Sequence, residues 1–100
     1  MKLLAAVQLF RGLADRIRLR LLNAIAQAGA MTGTELSATL KLPRSTVARH
    51  LRYLSRSRLV TTRQGQGETR YGLRIESEPI HEHVVTLILE YLASIEGMQK

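Results

Sequence analysis

The sequence predicts a mainly α-helical domain with one small β-hairpin in its second half. Two observations support this fold class. Apolar residues recur every three or four positions along most of the 100 residues, which is the period of an α-helix. Between about residues 59 and 75 the pattern changes to β-branched residues around a glycine-containing loop. With 45% apolar and 23% charged residues, the composition is typical of a single globular domain over residues 1–100.

Two helices are predicted at the N-terminal end. The first covers about residues 2–12 and has a wide apolar face that includes Leu3, Leu4, Val7 and Phe10. Asp15 then has the side-chain chemistry of a helix N-cap. The second helix follows it, with apolar residues at helical spacing until Gly29 supplies a C-terminal stop.

The third and fourth helices are predicted to lie close together in the chain. Thr32 and Glu35 fit a capping box, so a short helix should cover residues 33–40. Three residues later the next helix covers 43–58 and starts with a proline, whose missing N–H would have had no partner there. Two helices joined by so short a turn form a helix-turn-helix, here about residues 33–58.

The helix over residues 43–58 has one apolar side and one arginine-rich side. Val47, Leu51 and Leu54 recur on one side and should face the core. The other side carries cations, no acid and a small residue in the middle: Arg44, Ser45, Ala48, Arg49, Arg52 and Arg56. This arrangement suits the groove of a polyanion, so we interpret the helix as a DNA recognition helix. The alternative is a solvated basic surface helix.

A β-hairpin is predicted directly after this helix, over about residues 59–75. Residues 59–63 and 69–75 form its two strands, and the loop between them contains glycines that can adopt positive φ. Such a wing often follows a helix-turn-helix. Its polar tip can lie along a nucleic-acid backbone or enter a minor groove.

The positive charge of the chain is concentrated in this region. The net charge is +7, yet residues 41–74 contain nine Lys or Arg and a single acid, Glu68, which leaves the remainder at −1. A concentrated basic region favours nucleic acid as the partner, ahead of an anionic membrane surface or an acidic protein. No apolar run is long enough to span a membrane, and the N-terminus lacks a convincing signal-peptide cleavage pattern. We therefore expect a cytoplasmic protein.

A fifth helix is predicted over about residues 78–96, with acids and a proline in its first turn. It is apolar around most of its circumference, and a domain of this size rarely buries both sides of a helix. We therefore expect a second subunit to cover one side, the alternative being a helix packed only on its own domain. The residues predicted to face the partner are Val84, Leu87, Ile88, Tyr91, Leu92 and Ile95.

Several segments taken together resemble the ArsR/SmtB family of bacterial repressors. They are residues 13–15, 18–22, 31–36, 45–54 (Ser-Thr-Val-Ala-Arg-His-Leu-Arg-Tyr-Leu), 58–60 and 70–73. The resemblance covers about residues 8–75 and is most specific in the recognition helix. It implies a winged helix-turn-helix homodimer that binds an inverted-repeat operator and represses transcription. It also implies a dimer joined by the first and last helices, which adds Leu3, Leu4, Val7 and Phe10 to the interface.

The resemblance also implies which residues contact DNA. The family reads bases with outward residues early in the recognition helix, here Arg44, Ser45, Ala48 and Arg49, and a guanidinium can bind guanine bidentately. Ser45 and Thr46 suit a base or a phosphate, and Arg52 and Arg56 suit phosphates. The wing contributes the remaining predicted contacts, from Arg63, Gln64, Gln66 and Arg70. His50 is expected to pack at the helix flank.

The sequence departs from the metal-sensing members of that family. It contains no cysteine. His81 and His83 match the two-residue offset of the metal-binding pair on the family's last helix, but the positions of the second pair hold Ser94 and Gly97, which are not ligands for zinc, nickel or cobalt. No cofactor is therefore expected. A repressor that responds to divalent metal would need a nonstandard site, with Glu78, His81, Glu82 and His83 as candidates.

Catalytic motifs are missing from the sequence. It has no nucleophile elbow and no phosphate-binding glycine loop, and turn geometry explains the glycines of the predicted hairpin. We therefore predict a transcriptional regulator that is not an enzyme. The alternative from another class is a winged-helix adaptor that binds a protein or RNA.

Overall fold

The computed structural model describes residues 2–74 and 79–94. These residues form five helices and three strands: α1 (Lys2–Leu13), α2 (Arg16–Ala28), β1 (Ala30–Thr32), α3 (Gly33–Leu40), α4 (Arg44–Arg56), β2 (Val60–Arg63), β3 (Arg70–Leu73) and α5 (Pro79–Ser94). The predicted fold class, mainly α with a small hairpin wing, is confirmed.

The hairpin is part of a three-stranded antiparallel sheet in the order β1-β3-β2. As predicted, β2 pairs with β3, and Val60 lies opposite Leu73. The sequence did not predict β1, which pairs with the other edge of β3 and places Met31 opposite Tyr71. Since β1 has only three residues between the C-cap Gly29 and α3, it is too short to show the alternation of a strand. It ties the start of the helix-turn-helix to the wing.

One hydrophobic core joins all five helices and the sheet. The apolar side of α4 is buried in it through Val47, Leu51 and Leu54, as predicted. The largest side chains that are almost completely buried come from α2, α3, α4, α5 and the residue before β2: Leu21, Leu22, Ile25, Leu36, Leu54, Leu59, Val47 and Val85. The helix α4 is therefore fixed on the core with its arginine-rich side outward.

The ends of α1 and α4 differ from the predicted bounds. Gly12 lies inside α1, and a Cβ at this position would overlap Leu59 Cδ1. The glycine therefore allows close packing of α1 against the chain before β2, and the helix ends one residue after it, at Leu13. Pro43 is the N-cap of α4 and lies outside the helix. The helix ends at Arg56 because Arg58 has a φ of 62°, in the left-handed region.

Side-chain caps fix the starts of α2 and α3. Asp15 Oδ2 accepts a hydrogen bond from the Arg18 backbone N–H at 3.0 Å. In the capping box, Thr32 Oγ1 accepts from the Glu35 N–H at 3.1 Å, and Glu35 Oε1 accepts from the Thr32 N–H at 3.0 Å. Both predicted caps are confirmed.

We expect Asp15→Ala to lower the free energy of unfolding by about 1 kcal/mol, the usual effect of losing an N-cap. Burial raises the pKa of Asp15, but the Arg18 N–H and the charges of Arg18 and His50 outweigh it, so the net pKa lies below its ordinary value of 3.8. Because folding lowers the pKa of Asp15, its carboxylate stabilises the fold at pH values above the ordinary pKa of 3.8. This contribution is lost as the pH falls and the carboxylate is protonated. The difference between Asp15→Ala and wild type should therefore be larger at pH 7 than at pH 3.

Urea unfolding at the two pH values measures this difference. Asp15→Asn is the matched control, because asparagine keeps an oxygen that can accept from the Arg18 N–H. Equal losses in Asp15→Ala and Asp15→Asn at pH 7 would show that the carboxylate acts by charge alone and not as a cap.

Candidate nucleic-acid interface

The outward side of α4 is exposed and carries several cations. Its sequence contains no acidic residue. The side chains predicted to contact DNA are exposed at Arg44, Ser45, Ala48, Arg49, Arg52 and Arg56, and half-buried at Thr46. Ala48 leaves a low point between the long arginine side chains. The separation of an apolar side from a basic side is thus present in the folded protein.

The turn before α4 sets its angle to α3. Lys41 caps α3 in the left-handed conformation, with a φ of 58°. The Leu42 N–H then donates to Ser37 O at 3.1 Å, and Ser37 Oγ donates to Leu42 O at 2.5 Å. Arg20 Nη2 donates to Leu40 O at 3.1 Å, which fastens the turn to α2. These bonds fix the position of α4 within the helix-turn-helix.

A second set of contacts fixes the inner flank of α4 on the start of α2. His50 is buried, and its Nδ1 lies 3.7 Å from Asp15 Oδ2. Burial lowers the pKa of His50, and the nearby Arg49 and Arg18 lower it further, against the opposing effect of Asp15. Next to it, the Arg18 guanidinium lies 3.8 Å from the centre of the Tyr53 ring. His50 packs at the helix flank, as the sequence suggested.

The wing adds exposed cations beside α4. Arg63 and Arg70 lie opposite each other at the loop end of β2 and β3, and both are exposed, as are Gln64 and Gln66 in the loop. Arg70 Nη1 lies 3.5 Å from Glu35 Oε1, in an exposed ion pair. The structure therefore places the wing residues named from the sequence at one end of the sheet. Their contact with DNA stays a prediction.

Glu68 joins the wing to both helices of the helix-turn-helix. Its carboxylate accepts from the Thr34 N–H at 3.1 Å, from Thr34 Oγ1 at 2.6 Å and from Arg44 Nη2 at 3.0 Å. The Thr34 hydroxyl hydrogen bond is the largest cause of a lowered pKa at Glu68, so the carboxylate is ionised at neutral pH. Sequence reasoning noted Glu68 only as the single acid of the basic region. A single acid among nine cations in residues 41–74 is the sequence feature that indicates an ion-pair partner for Glu68.

A cleft separates α4 from the wing. Gly33, Arg44, Ala48 and Glu68 are among the residues that line it. Arg44 and Ala48, two of the residues predicted to read bases, therefore share this cleft with the wing glutamate.

Exposed apolar side chains also lie on α1 and on α5. The large apolar side chains exposed there are Leu3 (75%), Leu4 (61%), Val7 (37%), Phe10 (53%), Leu87 (57%) and Tyr91 (63%). Of the other residues predicted to face a partner, Val84 and Ile88 are half-buried, Leu92 is buried in its own domain, and Ile95 lies outside the described residues. The apolar surface available for contact is therefore narrower on α5 than the sequence suggested.

Two predictions concern metals and membranes. In the part of the chain that the structure describes, no three His, Asp or Glu side chains lie together in a way that could hold a metal ion. Glu82 and His83 are exposed, whereas Glu78 and the side chain of His81 lie outside the description. None of the helices over residues 2–74 and 79–94 has the length and hydropathy required to cross a membrane.

A helix-turn-helix with a basic outer helix, followed by a β-hairpin wing, defines the winged helix-turn-helix class of DNA-binding proteins. A family model described as a helix-turn-helix domain matches residues 13–63, and the chain belongs to this family. No protein in a search of curated sequences matches this chain.

The solved structures that this chain resembles include winged-helix regulators. HlyU from Vibrio cholerae aligns with a TM-score of 0.77 and 26% identity, over 92% of this chain and 96% of that one. The transcriptional repressor PagR of Bacillus anthracis aligns with a TM-score of 0.73 and 27% identity, over 88% and 97%. The homodimeric DNA-binding domain Mb0332 from Mycobacterium bovis shares the fold, with a TM-score of 0.74, 20% identity and coverage of 91% and 80%. The predicted relationship to ArsR-type regulators is confirmed.

Proposed function

We propose that this protein is a homodimeric repressor that binds an inverted-repeat operator and needs no cysteine metal site. The observation that carries the proposal is the outward side of α4, which has four exposed arginines and no acid on a helix whose other side is buried in the core. Arginines on a rigid helix can enter a major groove and bind guanine O6 and N7 bidentately. Arg44 and Arg49 have this role, and Arg52 and Arg56 bind phosphates.

The exposed apolar side chains of α1 and α5 support the homodimer. Exposed leucines, a phenylalanine and a tyrosine on two helices are costly in water, and a second copy of the same surface can cover them around a two-fold axis. The fold relative Mb0332 is homodimeric. A two-fold axis places two α4 helices in successive major grooves, about 34 to 36 Å apart, so the operator is a near-palindrome.

Selection from a randomised duplex library on the purified protein tests this function. The expected product is a near-palindromic site whose half-sites are separated by about one helical turn, or 10 to 10.5 base pairs. Binding to the selected duplex should be at least a thousandfold tighter than binding to random duplex, the lower end of the usual ratio for specific regulators (about 10³ to 10⁷). Single-stranded RNA and an acidic peptide serve as competitors. Displacement of the duplex by either one at equal concentration would favour the adaptor function.

A further inference from the structure

Glu68 is held in place by three hydrogen bonds although it lies on an exposed loop. The side chains of Arg44 and Glu68 are 59% and 39% exposed. The carboxylate nevertheless bonds to both the N–H and the hydroxyl of Thr34 and to Arg44. Gly33 leaves room for it, because a Cβ there would come within 3.3 Å of Glu68 Oε2. Glu68 therefore joins the wing to both helices of the helix-turn-helix through three hydrogen bonds, which is more than a single surface ion pair.

The groups that Glu68 occupies are those that a phosphate would use. In helix-turn-helix proteins the first helix of the motif, here α3, crosses the DNA backbone. Backbone N–H groups at helix starts and arginine side chains are common donors to phosphates. At the start of α3 the capping box already satisfies the N–H groups of the N-cap Thr32 and of Glu35. The Thr34 N–H is the one in this turn that bonds to Glu68. The carboxylate is thus an internal competitor for a DNA phosphate at Thr34 and Arg44.

Glu68 also restricts the direction of Arg44. One terminal nitrogen, Nη2, is bonded to the carboxylate. The other edge of the guanidinium keeps donors for an acceptor in the groove, since the planar group has five N–H bonds in a fixed geometry. A guanine contact can therefore form with the Glu68 pair intact, whereas turning Arg44 towards a phosphate requires that the pair break.

We propose that Glu68 is a specificity-determining residue: it weakens binding to duplexes of random sequence and leaves binding to the operator largely intact. This proposal rests on the proposed DNA-binding function. Nonspecific complexes depend almost entirely on phosphate contacts, so an internal anion that blocks such contacts acts mainly on them. Glu68 is a positioning residue for Arg44 and does not itself bind a base.

The test compares Glu68→Gln with wild type on the selected operator and on random duplex, between about 50 and 200 mM salt. Glutamine has the same shape but cannot compete as an anion. We expect random-duplex affinity to rise on the order of threefold to tenfold and its salt slope to steepen by about one, the effect of one additional phosphate contact. Operator affinity should rise by less, so the ratio of operator to random affinity falls.

Glu90→Gln is the matched control, because it removes the same charge from an exposed position on α5. It should change both affinities slightly and equally. In an Arg44→Ala background, Glu68→Gln should lose much of its effect, as expected of residues that act as a pair. If Glu68→Gln shifts both affinities equally, as Glu90→Gln does, the specificity role is wrong although DNA binding stands. If wild type binds no duplex at all, the proposed function fails and Glu68 has no such role.

Discussion

Leu87→Glu is expected to convert the protein to a monomer and to reduce operator affinity on the order of a hundredfold or more, the usual gain from linking two binding modules. Leu87 and Tyr91 lie one helical turn apart on the exposed side of α5, where their side chains are 57% and 63% exposed. A carboxylate at position 87 would be buried without a partner in the proposed subunit interface, which is strongly unfavourable. The folded domain should tolerate the change, since Leu87 is exposed within it.

Sedimentation equilibrium and operator titration of the same preparation measure both effects. Thr86→Glu is the matched control, because it introduces the same charge at the neighbouring exposed residue on the polar side of α5. The control should remain a dimer with nearly wild-type affinity. A Leu87→Glu protein that remains a dimer and binds the operator normally would contradict the α5 interface.

Arg49→Ala is expected to weaken operator binding by about 1 to 3 kcal/mol and to relax the preference at one base pair, as loss of a bidentate base contact does. Arg49 is exposed on α4, between the buried residues Val47 and Leu51. The buried His50 beside it anchors the helix to α2. Because α4 is fixed by its buried apolar side and by His50, removing the guanidinium should not be compensated by a shift of the helix.

Arg52→Ala is the matched comparison, since it removes the same group one turn closer to the C-terminal end of α4. It should weaken binding to all sequences alike and reduce the salt slope by about one. Titration of each variant on operator and random duplex separates the two patterns. If neither substitution changes either titration, α4 is not the DNA-binding element.

The sequence was sufficient for features that depend on neighbouring residues. Caps such as Asp15 and the Thr32–Glu35 box are formed within three residues, and the α4 bounds differ from the structure by one residue at the start and two at the end. The apolar period of α4 placed Val47, Leu51 and Leu54 correctly in the core. Such local signals are strong because a helix repeats its environment every turn.

Features formed by distant parts of the chain could not be predicted in this way. The hydrogen bonds of Glu68 to Thr34 join residues 34 positions apart, and β1 exists because β3 offers it an edge. Likewise, which residues of α5 are buried depends on how closely this helix packs against α2. The predicted interface residue Leu92 is 7% exposed because its own domain already covers it.

The most direct test of the recognition helix uses the absence of cysteine from the chain. Ala48→Cys places a single thiol in the middle of the exposed face of α4, and Thr86→Cys places one on α5 as the control. Each variant is mixed with operator duplexes that carry a thiol tether in the major groove at successive base pairs. Disulfide formation should occur from position 48 only, at two sets of base pairs about one helical turn apart. Equal crosslinking from positions 48 and 86, or none from position 48 with operator binding intact, would contradict a recognition helix at residues 44–56.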